Sequence, residues 1–129
     1  MIIGDSKISS ELRSRIRDLA PSAENEYRCA MEFDPDFTGF EGHFEGHPIV
    51  PGVCLIEAAR VIAEEAVGAS LKTLKIAQCR FRRPILAGES AAVTMKLGDT
   101  ATPGVRNVRA DFRVGEAMSA QMRLEVTER

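Results

Sequence analysis

The chain has 129 residues, 44% hydrophobic and 28% charged, which is enough to bury a core as one domain over 1–129. A net charge of −2 argues against nucleic acid or an anionic membrane surface as a general partner. Three cysteines without a C-x-x-C pair indicate neither a disulfide framework nor a zinc site. With no signal-peptide pattern and no membrane-spanning apolar run, we expect a cytoplasmic protein.

The N-terminal third predicts one helix and one strand. Apolar residues recur at near-helical spacing over 8–19, so we expect a short amphipathic helix there. Ser9 or Ser10 would cap this helix and Pro21 would end it. Residues 26–33 alternate in polarity and predict a strand.

A long loop and a buried helix follow. Residues 34–51 are rich in proline and glycine, yet their phenylalanines indicate a loop tucked against the core. Residues 52–67 are apolar around most of the helix circumference, which is typical of a buried helix, and Gly68 ends it.

The C-terminal half predicts strands only, with a hairpin that turns at Gly115. One strand before a buried helix and four after it favour an α+β class, in which an antiparallel sheet curves around the helix. This is the shape of a hotdog fold, although the pattern does not give the strand order. The four strands are expected at 74–81, 91–97, 105–114 and 117–126.

Residues 40–57 combine features that a purely structural segment does not need. An irregular loop bearing His43 leads to a helix that starts at Gly52 and carries Glu57 among apolar neighbours. Glutamate is almost never fully buried without a partner. No Ser, Thr, Asp or Asn caps the helix start, so its free N–H groups could hold an oxygen that gains negative charge.

Each of these residues also has a structural interpretation. A lone histidine beside aromatic residues, such as His43, is more often a packing residue than a catalytic one. Glu57 could pair with Arg60 at i+3 and share a polar stripe with Glu64. His43 and His47 do not form a helical zinc motif, because glycine and proline flank His47.

Two blocks of residues resemble the FabZ-type 3-hydroxyacyl-[acyl-carrier-protein] dehydratases of fatty-acid synthesis, and the resemblance covers about residues 25–127. It implies a hotdog fold and a homodimer able to assemble as a trimer of dimers, with a composite site at the dimer interface. The first block is Gly42-His43-Phe44, Gly46-His47-Pro48, Pro51-Gly52-Val53 and Glu57-Ala58, and the second is Phe81-Arg82-Arg83-Pro84-Ile85 with Gly88.

The resemblance also assigns roles. His43 matches the catalytic histidine, and Glu57 matches the catalytic carboxylate that the other subunit supplies. Gly52, with Val53 beside it, matches the oxyanion and substrate-binding position, where a backbone N–H polarises the thioester carbonyl. A glutamate rather than an aspartate is similar to the FabZ type more than to the isomerising FabA type.

Departures from the family pattern leave the substrate open. They are Glu45, Arg60-Val61, Ala87 and Glu89, and all surround the expected site rather than replace the catalytic pair. Acyl chain length and pathway are therefore open, with fatty-acid synthesis and polyene or polyketide-like chain synthesis as alternatives.

The expected chemistry is removal of water to give a trans-2-enoyl thioester, which needs no redox cofactor and no metal. Imidazole suits removal of the α-proton and Glu57 suits protonation of the departing hydroxide, although the order could be reversed. A hotdog thioesterase, with Glu57 as base or nucleophile, is the nearest alternative. A non-catalytic acyl-binding domain is another, but it would need neither His43 nor Glu57.

The resemblance further implies that an acyl carrier protein delivers the tethered 3-hydroxyacyl chain, although coenzyme A stays open as the carrier. Arg80, Arg82 and Arg83 form a local basic cluster that could dock this acidic partner. Strand alternation predicts that Arg80 and Arg82 face outward together. The alternative is a solvated strand face with ordinary ion pairs.

Overall fold

The structure, a computed structural model, describes residues 5–41 and 48–129. His43 and its neighbours through His47 lie outside the described residues. The elements are α1 (Lys7–Ser14), β1 (Ile16–Ala23), β2 (Glu26–Glu32), a 3₁₀ turn (Thr38–Phe40), α2 (Gly52–Val67), β3 (Leu71–Phe81), β4 (Ser90–Asp99), β5 (Val105–Val114) and β6 (Ala117–Glu128).

One antiparallel sheet curves around α2, which confirms the α+β class and the hotdog architecture. Its strand order is β1-β2-β4-β5-β6-β3, so β3 follows α2 in the chain but lies at the far edge of the sheet. Strand alternation builds the core: in β5, Val108, Ala110 and Phe112 are fully buried, while Arg109 between them is exposed.

The predicted helix over 8–19 is wrong in its second half. α1 ends at Ser14, and residues 16–23 form an edge strand paired with β2. Arg15 closes the helix by donating its N–H to the Leu12 carbonyl, and the chain then turns into the sheet. Pro21 is tolerated because β1 is an edge strand, where one N–H needs no partner. The helix cap is Ser6, not Ser9 or Ser10.

Three further expectations about the fold are confirmed in the described residues. Phe37 and Phe40 are buried, so the described part of the long loop is tucked against the core as predicted. Gly68 ends α2 with a φ of 72° and Gly115 turns the β5–β6 hairpin with a φ of 59°, both in the left-handed region that favours glycine. Neither α1 nor α2 has the length and hydropathy that a membrane crossing requires.

Candidate active site on helix α2

The first turn of α2 presents free backbone donors. Cys54 and Leu55 donate their N–H groups to the Pro51 carbonyl at 2.9 and 3.3 Å. Within the described residues, the N–H groups of Gly52 and Val53 have no acceptor, and no side chain caps the helix. The start of α2 is therefore uncapped, as the sequence indicated, and Gly52 and Val53 lie at the positive end of the helix dipole.

An apolar groove of about 510 Å³ opens beside this first turn. The Phe81 ring lies over Gly52, because a Cβ built on Gly52 would come within 2.7 Å of that ring. A residue larger than glycine at this point would therefore displace the aromatic ring. The rest of the groove is lined by Ile49, Val50, Val53, Leu55, Ile56, Arg82, Arg83, Pro84 and Ile85.

Glu57 lies in a second hollow that adjoins this groove. Its side chain is 34% exposed. It lines a neighbouring cavity of about 310 Å³, which shares Val53 and Ile56 with the groove. Glu57 is therefore a neighbour of the groove and is not among the residues that line it. Glu57 is five residues beyond Gly52, about 7–8 Å along the helix axis.

Arg60 donates from Nε to Glu57 Oε1, so the ion pair considered in the sequence analysis is present. Arg60 is only 7% exposed. Its remaining N–H groups reach the Leu71 carbonyl at 3.1 Å, Ser9 Oγ at 3.3 Å and Glu64 Oε2 at 2.8 Å. The site therefore includes a buried cation that the sequence analysis treated only as a neighbour.

Glu64 anchors the far end of this charged stripe. It is 1% exposed, and it accepts from the Leu71 N–H at 2.7 Å and from Arg13 Nη2 at 2.7 Å, besides Arg60. Sequence reasoning missed Arg13 and Ser9, which belong to α1. The spacing of Arg60 at i+3 and Glu64 at i+7 from Glu57 pointed to the polar stripe, but nothing local pointed to α1.

The predicted arginine cluster is divided between two surfaces. Arg80 lies opposite Gln121 on the outer face of the sheet, in a polar hollow that Arg109 and Arg123 also line. Arg82 and Arg83 line the apolar groove on the helix side. The expectation that Arg80 and Arg82 share one outward face is therefore not met, because β3 ends at Phe81 and strand alternation stops there.

Arg83 is also partly engaged within the chain. It donates to Glu89 at 3.2 Å. The Leu86 N–H and the Arg83 guanidinium hold the pKa of Glu89 below its ordinary value. Glu89, one of the departures from the family pattern, thus fixes the turn that carries Arg83.

Cys54 behaves as a small apolar residue on the buried side of α2. Burial raises the pKa of its thiol, and the nearby charge of Glu57 raises it further. A thiol of this kind stays protonated at neutral pH and is a poor nucleophile. Among residues 5–41 and 48–129, no group of three His, Cys, Asp or Glu side chains has the arrangement of a metal site.

The architecture is that of a hotdog-fold protein, and the match to a protein family identifies which hotdog family the chain belongs to. Residues 20–122 match the ApeI-like family, described as ApeI dehydratase, and the chain belongs to this family. It is similar to the 3-hydroxyacyl-[acyl-carrier-protein] dehydratase FabZ of Polaromonas sp., with 33% identity over 70% of this chain and 68% of that protein. FabZ of Cereibacter sphaeroides is 35% identical over 67% of this chain, which spans 62% of that relative's length.

Solved structures support the fold. The dehydratase heterocomplex ApeI:P from Xenorhabdus doucetiae matches with a TM-score of 0.70 and 18% identity, over 88% of this chain and 96% of that one. An acyl-CoA hydrolase mutant from Staphylococcus aureus in complex with coenzyme A matches with a TM-score of 0.61 and 18% identity, over 87% and 69%. Both likenesses bear on the fold alone.

Proposed function

We propose that this protein dehydrates 3-hydroxyacyl thioesters, carried by an acyl carrier protein, to trans-2-enoyl thioesters. The observation that carries the proposal is that free N–H groups at Gly52 and Val53 lie beside an apolar groove, with Glu57 in an adjoining cavity that shares Val53 and Ile56 with that groove. Membership of the ApeI-like dehydratase family supports the same reaction.

The proposed chemistry uses each of these features. The acyl chain lies in the groove and the thioester oxygen accepts from the Gly52 N–H, so the enolate that forms when the α-proton leaves is stabilised. His43 takes the α-proton. The bond between Cβ and the hydroxyl oxygen then breaks, and this oxygen leaves as water after receiving a proton from Glu57. The proton that His43 took from the α-carbon restores the Glu57 carboxyl before the next turnover. The number of protons taken from and returned to the substrate is equal.

A homodimer is part of the proposal, because β3 is an edge strand with apolar side chains left uncovered by its own chain. Ile76 and Phe81 are 51% and 53% exposed and lie opposite the buried Leu124 and Ala120, so they face the helix side of the sheet. Val53, 73% exposed, adds to this surface. A second copy of the chain would cover it and bring its own His43 loop to Glu57.

Incubation with a crotonyl thioester tests the reaction in its reverse direction. Loss of the enoyl absorbance without release of free thiol means hydration and supports the proposal. Release of free thiol means thioester hydrolysis and would contradict the proposal. No change with any chain length or carrier would leave acyl binding without catalysis.

Co-expression of His43→Ala with Glu57→Gln tests the shared site. Random assortment gives about half mixed dimers with one intact site each, so roughly a quarter of wild-type activity should return. Absence of recovery in purified mixed dimers would mean that both residues act within one chain.

We propose that Arg80, Arg82 and Arg83 dock the carrier protein, and the structure makes a sharper test possible. Arg82 is exposed at the groove, so Arg82→Glu should raise KM for a carrier-bound substrate and leave a short uncharged thioester unaffected. The rise should shrink at high salt. Arg80→Glu should likewise raise KM only for the carrier-bound substrate; a loss of turnover of the short thioester in either variant would contradict docking.

A further inference from the structure

The outer face of the sheet, which points away from α2, carries a polar hollow of about 270 Å³. Arginines from three neighbouring strands meet there, and an arginine side chain is always charged in a protein. The polar residues that line the hollow are Gln78 and Arg80 of β3, Arg109 and Asp111 of β5, and Gln121 and Arg123 of β6.

Two of these arginines are placed at a cost to the fold. Arg109 and Arg123 are direct partners in the ladder between β5 and β6. The Cβ atoms of such partners are about 4.5–5.5 Å apart, and like charges at this distance destabilise a sheet. Lys96 of β4 is the partner of Arg109 on its other side, so three cations stand in one row across three strands.

The protein itself does little to offset this repulsion. Among the ion pairs of residues 5–41 and 48–129, none involves Arg80, Arg109, Arg123 or Lys96. Asp111 is the carboxylate that lines the hollow, which leaves a net charge of +2 from three arginines and one aspartate. Four cations and two carboxylates face outward at neighbouring register positions: Glu26, Arg28, Lys75, Lys96, Arg113 and Glu125.

We propose that this hollow binds the phosphoryl group of a phosphate monoester. Such a group carries a charge of about −1.5 to −2 at pH 7, which matches the net charge of the hollow. A guanidinium fork can bind two phosphate oxygens at once. The carboxamides of Gln78 and Gln121 add donors for the phosphoryl group and acceptors for hydroxyls of the molecule that bears it.

This binding site is separate from the proposed dehydration, because the groove beside Gly52 opens on the opposite face of the sheet. Titration with glucose 6-phosphate therefore tests it without any turnover. Nitrogen-15 NMR of the arginine Nε–H groups should show saturable binding with a Kd of about 1 mM or lower. Glucose, which lacks the phosphoryl group, should leave these signals unchanged; equal shifts with both sugars would overturn the proposal.

The double variant Arg109→Gln/Arg123→Gln removes two charges from the hollow and should raise this Kd at least about tenfold, measured by calorimetry. Lys7→Glu, at an exposed position of α1, changes the net charge by the same amount and should change Kd less than about twofold. Arg80 is left intact because the carrier-docking proposal uses it. An unchanged Kd in the double variant, or an equal rise in Lys7→Glu, would overturn the site.

Thermal unfolding separates binding from a structural role. Without ligand, the double variant should be at least as stable as the wild type, because it loses a pair of opposed like charges. Glucose 6-phosphate should raise the Tm of the wild type and leave that of the double variant unchanged. A lower Tm of the variant without ligand would assign the arginines to the fold and overturn the proposal.

Two further measurements identify what occupies the hollow. Vesicles of phosphatidic acid, with phosphatidylcholine vesicles as the control, test whether the monoester is a lipid headgroup instead of a soluble ester. Binding of either probe that is lost in the double variant supports the phosphoryl site, and binding of neither overturns it. Sedimentation of both proteins tests for a second copy at this face, and dissociation of an assembly by the double variant would also overturn the proposal.

Discussion

Helix α2 exposes an apolar side chain near its start and buries charged side chains further along, the reverse of the usual pattern of burial. At its start, the apolar Val53 is 73% exposed beside an open groove. Further along, the charged Arg60 and Glu64 are 7% and 1% exposed. Charged side chains are rarely buried unless paired, and here each charge meets an opposite one or a backbone group.

The difference follows from what covers each end. α1 packs over the charged end and supplies Arg13 and Ser9, so the chain satisfies those buried charges itself. In the described residues nothing comparable covers the first turn, where substrate and a second copy of the chain are proposed to bind. Thus the buried charges of Arg60 and Glu64 are satisfied within the chain. The first turn of the same helix is the part that we propose to bind substrate and a second copy.

Removing the proposed catalytic groups should have the largest effect. Glu57→Gln and His43→Ala should each lower the dehydration rate by about 10³-fold or more, because each interrupts the same series of proton transfers. Steady-state rates with a 3-hydroxyacyl carrier protein measure this, with circular dichroism as the control for folding. Turnover near the wild-type rate in either variant would remove that residue from the mechanism.

Removing a buried charge from the part of α2 that carries Arg60 and Glu64 should mainly lower the free energy of unfolding. Glu64→Ala leaves Arg60 and the Leu71 N–H without their buried partner, so unfolding free energy should fall by about 3–5 kcal/mol. Urea unfolding measures the loss. Glu65→Ala, which removes a more exposed partner of Arg13, should cost less than about 1 kcal/mol. Equal losses would mean that burial does not distinguish the two carboxylates.

A charge introduced in the first turn of α2 should weaken the proposed dimer and leave the stability of the fold unchanged. Val53→Asp places a carboxylate on the proposed interface, so the dimer Kd should rise about 10- to 100-fold, as for an interface residue worth 1–3 kcal/mol. Sedimentation at several concentrations measures this. Ala101→Asp, on an exposed bend, is the control and should leave Kd unchanged. An unchanged Kd in Val53→Asp would show that the partner binds elsewhere.

Protonation of Asp5, which pairs with Arg13 next to the buried charges of α2, should have the smallest effect on stability. Two hydrogen bonds from Arg13, both 2.8 Å, hold the pKa of Asp5 below its ordinary value of 3.8. A lowered folded-state pKa stabilises the protein above pH 3.8, and this contribution is lost as the pH falls through the folded value.

Asp5→Asn should therefore lower the unfolding free energy by about 0.2–1 kcal/mol at pH 7. The gap to the wild type should close below pH 3.8. Thermal unfolding across this range measures it. A gap that persists in acid would assign the effect to hydrogen bonding by the neutral side chain instead.

The sequence predicted most of the fold because the signals concerned are local. Each signal follows from backbone geometry or from one face of an element. The signals are the apolar residues around the circumference of helix 52–67, the glycines at 68 and 115, and the alternation of the last strands. The helix over 8–19 was wrong because pairing with β2 overrides a near-helical spacing. Ile16 and Leu19, the last two apolar positions of that pattern, lie in the eight-residue edge strand β1 because that strand pairs with β2.

The candidate site divides in the same way. Glu57, Gly52 and the uncapped helix start could be found in the sequence, because they lie on one helix at fixed spacing. The separation of Arg80 from Arg82 depends on where β3 ends, and the anchoring of Arg60 depends on α1 and the start of β3. The side chains that fix a buried charge come from wherever the chain folds back, so only the tertiary structure decided which residues support Glu57.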